Sequence, residues 1–374
     1  MFSKPFAHHD HPIEIIRQFT PNWFTVTMGT GVLALLLKQF PGPAWLAGLA
    51  ADIWQLNILI FTLFALIYLA HWLFYPGEAV KIFSHSIAPM FLGAIPMGFA
   101  TIANGTLVFA HNAPLALHLW EIDVVMSVVC GLGVPLAMVV LQKHLLESMT
   151  GVWLLPIVAC EVAAASGALM APFQSPIVAM NIVFTGYVLW SLSVPLAFGI
   201  LTILFLRLVL HSLPPKELAV SSWLALGPLG TGSLGLLLLG HAAPTAFLGT
   251  NLAFLIPVAQ GIGVIGGVVI WGYGAWWLAM AVIMVLIYRP HQLPFNMGWW
   301  GFTFPLGVFI LATNVLGVQT GLAAFIIAGH VLTEIFVALW GIVALRTLRG
   351  AYHGSLFAAP YVRSAMPAAT PLKR

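Results

Sequence analysis

Charged residues are scarce in this sequence. Asp, Glu, Lys and Arg make up only 6% of its 374 residues, and 61% of the residues are hydrophobic. A soluble domain carries about 25% charged residues, so this composition cannot cover a water-soluble surface. Helices that cross a membrane need runs of about 20 apolar residues, and the sequence contains several such runs. The composition therefore predicts an all-α integral membrane protein with many spans.

Cysteine is equally scarce, and motifs for enzymatic chemistry are missing. Cys130 and Cys160 both fall inside apolar stretches, without the spacing of a disulfide framework or a metal site. The chain contains no HExxH, no GxSxG and no aspartate-rich motif, which argues against an intramembrane protease or lipid transferase. We interpret the HHDH run at 8–11 as part of a polar tail. We therefore expect no enzymatic activity, no metal and no cofactor.

Apolar runs that are broken by charges, Pro and Gly predict ten transmembrane helices. An N-terminal tail covers 1–20, the membrane domain covers 21–347, and a C-terminal tail covers 348–374. The predicted spans are 21–38, 53–75, 86–108, 113–143, 153–170, 177–210, 222–241, 252–288, 298–316 and 319–347.

Lysine and arginine form no basic stripe, although the formal net charge is +3, and this argues against nucleic-acid binding. Their positions instead indicate topology, because cytoplasmic loops are enriched in these residues. With ten spans and an inside N-terminus, every Lys and Arg except Lys38 falls on the cytoplasmic side. The first twenty residues are too polar for a signal peptide. We therefore expect both termini in the cytoplasm and the chain in a bacterial inner membrane.

The odd-numbered spans differ in kind from the even-numbered ones, which are longer and bulkier. Odd spans begin near 21, 86, 153, 222 and 298, at intervals of 65, 67, 69 and 76 residues. This regular spacing indicates a helical hairpin that is repeated five times. Five hairpins can close into a quasi-fivefold ring.

Small and helix-bending residues recur in all five odd spans. Proline removes a backbone donor and tends to kink a helix, and such backbone is tolerated in a membrane where it faces protein or a watery cavity. The recurrence favours a central pathway lined by the odd helices, although any single Gly is also explained by close helix packing. The prolines concerned are Pro96, Pro156, Pro228 and Pro305.

Five motifs in the odd spans resemble the tellurite-resistance/dicarboxylate transporter family, which includes fungal malate permeases, sulfite efflux pumps and plant slow anion channels. The resemblance covers nearly all of the membrane region, and the first and last motifs are the most specific. The motifs are PNWFTVTMGTG at 21–31, FLGAIPMG at 91–98, LLPIVACEVAAASG at 154–167, GPLGTGSLG at 227–235 and NMGWWGFTFPLG at 296–307.

This resemblance implies a homotrimer, in which each subunit has its own pore, lined by the odd helices and enclosed by the even ones. It also implies a gate in the ninth helix, where the channel members carry a Phe whose ring blocks the pore. Phe304 is the matching residue here, and Gly301 departs from the family, where a slightly larger residue is usual. The implied partners are a small anion as substrate and the surrounding membrane lipid.

Anion preference cannot depend on a ring of Lys or Arg at mid-membrane, because the odd spans contain none there. We expect weak sites instead, formed by hydroxyls and freed backbone groups, although each Ser or Thr can also bond to its own helix. The predicted pore-lining residues are Thr27, Thr30, Gly31, Gly93, Pro96, Glu161, Gly230, Thr231, Ser233 and Thr303.

Two carboxylates lie deep inside predicted spans, where an ionisable residue is costly. Glu161 is on an odd helix, so we expect it to be neutral, paired or turned away from the lumen. Glu334 follows His330 by four residues, which predicts a structural hydrogen-bonded pair on one helix face. Proton coupling is the alternative role for these residues. Glu121 and Asp123 are expected at the membrane interface.

The sequence therefore predicts membrane transport of small anions, either C4-dicarboxylates such as malate or small inorganic anions, through a pore that a phenylalanine gates. The alternative is a proton-coupled transporter of dicarboxylate, sulfite or tellurite that uses an intramembrane carboxylate. No motif identifies the anion.

Overall fold

The computed structural model describes residues 11, 13–288 and 293–362, and all regular structure in them is helical. Ten long helices, labelled α1 to α10 here, form the bulk of the protein. They are α1 Phe24–Gln39, α2 Ala44–Phe74, α3 Ala94–Val108, α4 Ala113–Val140, α5 Leu155–Met170, α6 Pro176–Leu210, α7 Leu226–Phe247, α8 Leu255–Ile287, α9 Phe304–Thr320 and α10 Ala323–His353.

The structure confirms the all-α membrane class. In the described residues, nine helices, α2 to α10 with their leading turns, are long and apolar enough to cross a membrane. The remaining helix, α1, has 16 residues, and the 3₁₀ turn Pro21–Trp23 precedes it directly. The count of ten crossings therefore stays a prediction.

Each odd-numbered helix is entered through a 3₁₀ segment. Every one of the four prolines predicted to kink these helices lies within the first three residues of its α-helical part. In the first turn a missing N–H leaves no hydrogen bond unmade. The prolines therefore mark the junction of 3₁₀ and α-helix. The five 3₁₀ segments are Pro21–Trp23, Ala88–Gly93, Gly151–Leu154, Lys216–Ala225 and Met297–Phe302.

The odd-numbered helices form a closed inner ring, in which α1 contacts α3, α3 contacts α5, α5 contacts α7, α7 contacts α9, and α9 returns to α1. Each even-numbered helix packs outside this ring, against the odd helix of its own hairpin and the next odd helix round. This arrangement confirms the five hairpins in quasi-fivefold order that the spacing predicted.

The inner and outer helices bury very different shares of their surfaces. In the most apolar window of each span, α5 and α7 are 94% buried inside the protein, and the outer helices are between 17% and 39% buried. The outer helices expose bulky side chains such as Leu59 and Val139. A helix that is apolar on all sides is expected where its outer face meets lipid. This difference explains why the even spans are the bulkier ones.

Glycine permits the inner helices to approach one another at backbone distance. A Cβ atom on Gly230 of α7 would lie 2.6 Å from the Phe309 backbone nitrogen of α9. A Cβ on Gly93 would lie 2.3 Å from the carbonyl oxygen of Leu155, at the start of α5. These two glycines therefore set the spacing between neighbours in the ring.

The two ends of the described chain lie at the same end of the bundle. The Trp23 ring stacks on the Phe357 ring with centroids 4.6 Å apart, and the Ala359 N–H donates to Gln18. Nearby, Arg17 donates two hydrogen bonds to Glu78, at 2.8 and 2.6 Å, and these bonds lower the pKa of the Glu78 carboxyl. Chain ends on one side require an even number of crossings.

We expect Gly230→Ala to destabilise the ring, because the new methyl group would meet the backbone of α9. Overpacking of this kind costs about 1–3 kcal/mol. Gly227→Ala, in the same helix, is the matched control, since its Cβ would meet no atom nearer than 3.9 Å. Thermal unfolding of the detergent-solubilised protein measures both variants. Equal melting temperatures would contradict the close contact between α7 and α9.

Candidate functional site

Two cavities lie along the axis of the inner ring, one on each side of Phe304. The first, named here the N-terminal vestibule, has a volume of about 360 Å³ and is lined by the leading segments of all five odd helices. The second, the C-terminal cavity, has a volume of about 150 Å³ and is lined by later turns of the same helices. Within the described part of the chain, Phe304 is the one residue that lines both.

Phe304 is the first residue of α9, and its side chain is buried. The residue before it, Thr303, has φ −94° and ψ −81°, just outside the α-helical region. The Thr303 hydroxyl donates to the Trp300 carbonyl at 2.7 Å and holds this corner of the backbone. The Phe304 ring therefore projects between the cavities from a fixed point.

The neighbouring aromatic residue Phe302 is held more firmly. Its ring packs edge-on against Trp223 and Trp299, with centroid distances of 5.0 and 5.6 Å. Among the residues that the structure describes, Phe304 takes part in no ring pair of this kind. Open space lies on both sides of it, so a change of rotamer meets no interlocking aromatic ring.

The vestibule is electropositive by virtue of its backbone. All five odd helices begin there, and the N-terminus of each helix carries a partial positive charge of about +0.5. Several leading N–H groups are capped by side chains: the Val152 N–H donates to Thr150, and the Gly298 N–H donates to Asn296. The shared direction of the five helices thus produces a field that favours anions.

His85 caps the leading segment of α3 at the vestibule wall. Its Nδ1 accepts hydrogen bonds from the N–H groups of Ile87 and Ala88, both at 3.1 Å. An Nδ1 that accepts must be unprotonated, and burial lowers the pKa of the His85 ring, which favours this neutral form. Glu217 is the other ionisable residue among those described that line the vestibule.

The C-terminal cavity has polar groups at two depths. Thr101 and Thr231 lie deeper, and both donate to backbone carbonyls of their own helices. Nearer the helix ends, the Asn104 Nδ2–H donates to the Ser166 hydroxyl at 3.0 Å. Lys38 lies at the end of α1 and is the one Lys or Arg, in the described residues, that lines either cavity.

Of the ten residues predicted to line the pore, the structure places Thr231 against the C-terminal cavity, and none of the other nine lines either axial cavity. The remaining hydroxyls are used in helix packing. Thr27 donates to the Phe24 carbonyl, Thr30 accepts from the Trp340 indole, Ser233 donates to the Gly267 carbonyl and Thr303 donates to the Trp300 carbonyl.

The predicted glycine and proline positions serve helix contacts. A Cβ on Gly31 would lie 2.0 Å from the Thr101 hydroxyl, and Gly93 and Gly230 face neighbouring backbone as described above. Pro96 lies in the first turn of α3 and is buried. These residues therefore shape the ring and do not form its lining.

Glu161 is fully buried and turned away from both cavities. Its Oε1 lies within hydrogen-bond distance of the Thr231 hydroxyl, at 2.8 Å, and its Oε2 has no partner among the described residues. A Cβ on Gly232 would lie 3.8 Å from that oxygen. The carboxyl is thus separated by one hydrogen bond from a residue that lines the C-terminal cavity, and Glu161 itself, one of the predicted lining residues, lines neither cavity.

The other acidic residues depart from expectation. Glu334 is exposed on the outside of α10, and in the described residues it makes no hydrogen bond or ion pair with His330, whose ring packs edge-on against Phe40. The predicted pair is therefore absent from the described structure, because the His330 ring packs on Phe40 and the Glu334 carboxyl is exposed. Glu121 is exposed, whereas Asp123 is fully buried, and neither of its oxygens has a partner among those residues.

The sequence analysis missed the polar cluster of the C-terminal cavity. Asn104 and Ser166 come late in their spans, near helix ends, and lie outside the hydroxyl-bearing positions that the prediction selected. Asn104 and Ser166 lie 10 and 11 residues after the first residues of α3 and α5. They lie 18 and 13 residues after the predicted span starts at 86 and 153, so the predicted bounds hid their common depth. The described residues hold no cluster of three or more metal-ligating side chains, and residues 8–10 of the HHDH run lie outside them.

The comparison with known families agrees with this geometry. The family model described as SLAC1, voltage-dependent anion channel, matches residues 18–348. This match covers the whole inner ring and the C-terminal cavity, and all of the vestibule lining except Ala358 and Pro360. It confirms the family that the odd-helix motifs indicated.

Named relatives are similar over nearly the same length. A sulfite efflux pump from Arthroderma benhamiae is 39% identical, over 89% of this chain and 91% of its own. An uncharacterized transporter from Methanocaldococcus jannaschii is 27% identical, over 91% and 97%. A malic acid transport protein from Schizosaccharomyces pombe is 23% identical, over 87% and 76%. These names describe transporters, and this chain belongs to the SLAC1 family of voltage-dependent anion channels.

Proposed function

We propose that this protein moves small anions across a membrane along the axis of its inner ring, with Phe304 as the gate. The observation that carries the proposal is the position of this ring between the two axial cavities, both of which it lines. An apolar ring in a narrow passage blocks ions sterically and by excluding water. A rotamer change would join the vestibule to the C-terminal cavity. No enzymatic activity is part of this proposal.

Anion preference in this proposal comes from backbone and hydroxyl groups. The five helix N-termini at the vestibule attract negative charge without presenting a strong fixed site. Thr231 is the deep polar contact beyond the gate. Weak binding at successive positions lets an anion enter and leave quickly.

Sulfite is the first candidate that we propose as the transported anion. The relative named as a sulfite efflux pump is 39% identical, whereas the malic acid transport protein is 23% identical.

We further propose a plasma membrane location with both chain ends in the cytoplasm, supported by the Lys and Arg distribution. The named relatives come from fungi and an archaeon, so they lend no support to the bacterial setting. The homotrimer implied by the motifs remains part of the proposal.

A proton-coupled carrier is the second candidate, and Glu161 favours it. The carboxyl is buried in the membrane domain and bonded to Thr231, which lines the C-terminal cavity. A proton on this carboxyl would be separated from the pathway by one hydroxyl group. Intramembrane carboxylates of this kind serve proton relays in many carriers.

We expect Phe304→Ala to raise the anion current of the purified protein in planar bilayers by about tenfold or more, because it removes the ring that separates the cavities. Phe302→Ala is the control, since Phe302 is equally buried in the same segment but lines neither cavity. Sulfite, malate, nitrate and chloride would each be measured. Unchanged currents from well-folded Phe304→Ala would refute the gate.

We expect Glu161→Gln to leave anion flux into liposomes within about twofold of wild type, with or without a pH gradient, because a glutamine amide can still form a hydrogen bond with the Thr231 hydroxyl. Glu121→Gln, at an exposed position, controls for loss of a carboxylate. Flux is followed by a sulfite-sensitive probe. A selective loss of gradient-driven flux in Glu161→Gln would instead favour the proton-coupled carrier.

A further inference from the structure

The C-terminal cavity contains hydrogen-bond donors that the protein itself does not use. The Asn104 amide donates one of its two Nδ2 hydrogens to the Ser166 oxygen. Ser166 makes no other hydrogen bond among the described residues, so its own hydroxyl hydrogen has no acceptor there. An amide N–H and a hydroxyl therefore remain available, side by side, on α3 and α5.

These donors are directed toward the cavity. Asn104 and Ser166 both line it, and the Ser166 residue is buried apart from that contact. The Asn104 Oδ1 atom has no accessible surface and no partner in the described residues. The N–H side is therefore the part of the amide that a molecule in the cavity can reach.

Lys38 supplies a positive charge in the lining of the same cavity. It lies in the last turn of α1, lines the cavity and forms no ion pair with any described residue. The odd helices run parallel, so their C-termini, each with a partial negative charge of about −0.5, gather at this end. An anion that leaves the gate moves into a repulsive backbone field, and Lys38 is the cation placed to offset it.

We infer that the C-terminal cavity is a binding site for a small oxyanion, held by the Lys38 ammonium together with the Asn104 amide and the Ser166 hydroxyl. This inference rests on the proposed function and names the class of substrate that the pathway selects. Donors on three different helices suit an anion with several acceptor oxygens. A halide offers one spherical acceptor and gains less from separate donors.

The size of the cavity agrees with this class. Its volume of about 150 Å³ is several times the roughly 10–15 Å³ that a cavity needs to hold one water molecule. A small oxyanion with part of its water fits that space. The rest of the lining is mainly aliphatic, with Val162, Leu234 and Val308 among its members, so the few polar groups determine the orientation of a bound anion.

Two kinds of substitution separate the roles of charge and hydrogen bonding. Asn104→Leu and Ser166→Ala remove donors without changing charge, so each should weaken sulfite binding by about tenfold while changing chloride binding by less than about twofold. Lys38→Gln removes the charge and should weaken both anions to a similar degree. Asn181→Leu, exposed on α6, and Lys81→Gln, at the opposite end of the bundle, are the matched controls.

The measurement is calorimetric titration of the full-length protein in detergent with sodium sulfite and with sodium chloride, after thermal unfolding has shown that each variant is folded. The site would be overturned if Asn104→Leu and Ser166→Ala weakened the binding of sulfite and of chloride equally. It would also be overturned if none of the three cavity variants weakened binding. Planar-bilayer permeability ratios complete the test. If the wild type binds sulfite but carries no anion current or flux, the proposed function fails while the site stands. If the wild type carries anions and these variants leave the sulfite-to-chloride permeability ratio unchanged, the binding-site inference fails and the proposed function stands.

Discussion

Hydrocarbon gives the peptide backbone no hydrogen bonds, and this constraint governs the whole molecule. Every described element is helical, and the polar side chains within the ring mostly donate to carbonyls of their own or adjacent helices, as Thr27 and Ser233 do. The same constraint favours first turns as the place for proline in the odd helices, where its missing N–H leaves nothing unpaired. Pro244, inside α7, is an exception. A passage through such a structure can use only the few polar groups that remain uncommitted.

The ring's asymmetry follows from its topology. Because each hairpin returns the chain to the starting side, all odd helices point the same way, and their dipoles add at the vestibule and at the far end alike. Phe304, the proposed gate, lies close to the positive end, in the first turn of α9. An anion therefore gathers on one side of Phe304 with backbone assistance and departs on the other side, where side chains must supply the stabilisation.

Much of the architecture could be predicted from the sequence, because it depends on patterns that repeat. Lipid exposure marks the even helices as bulky, and the five hairpins are visible in the spacing of the odd ones. The lining could not be predicted in the same way, because Thr30 and Thr231 look alike in sequence and differ only in the direction of their side chains. Glu334 and His330 have the spacing of a pair, yet the His330 ring packs on Phe40 instead. Asp123 is buried where an interfacial position was expected.

The ring closes between the first hairpin and the last, since α9 contacts α1 and the Trp340 indole of α10 donates to Thr30. The ribosome synthesises the first hairpin of this contact at the beginning of translation and the last hairpin near its end. Until the last hairpin enters the membrane, the nascent chain is an open arc whose small-residue face borders lipid. A conducting passage thus exists only when translation of the membrane domain is complete, so an unfinished chain cannot leak ions.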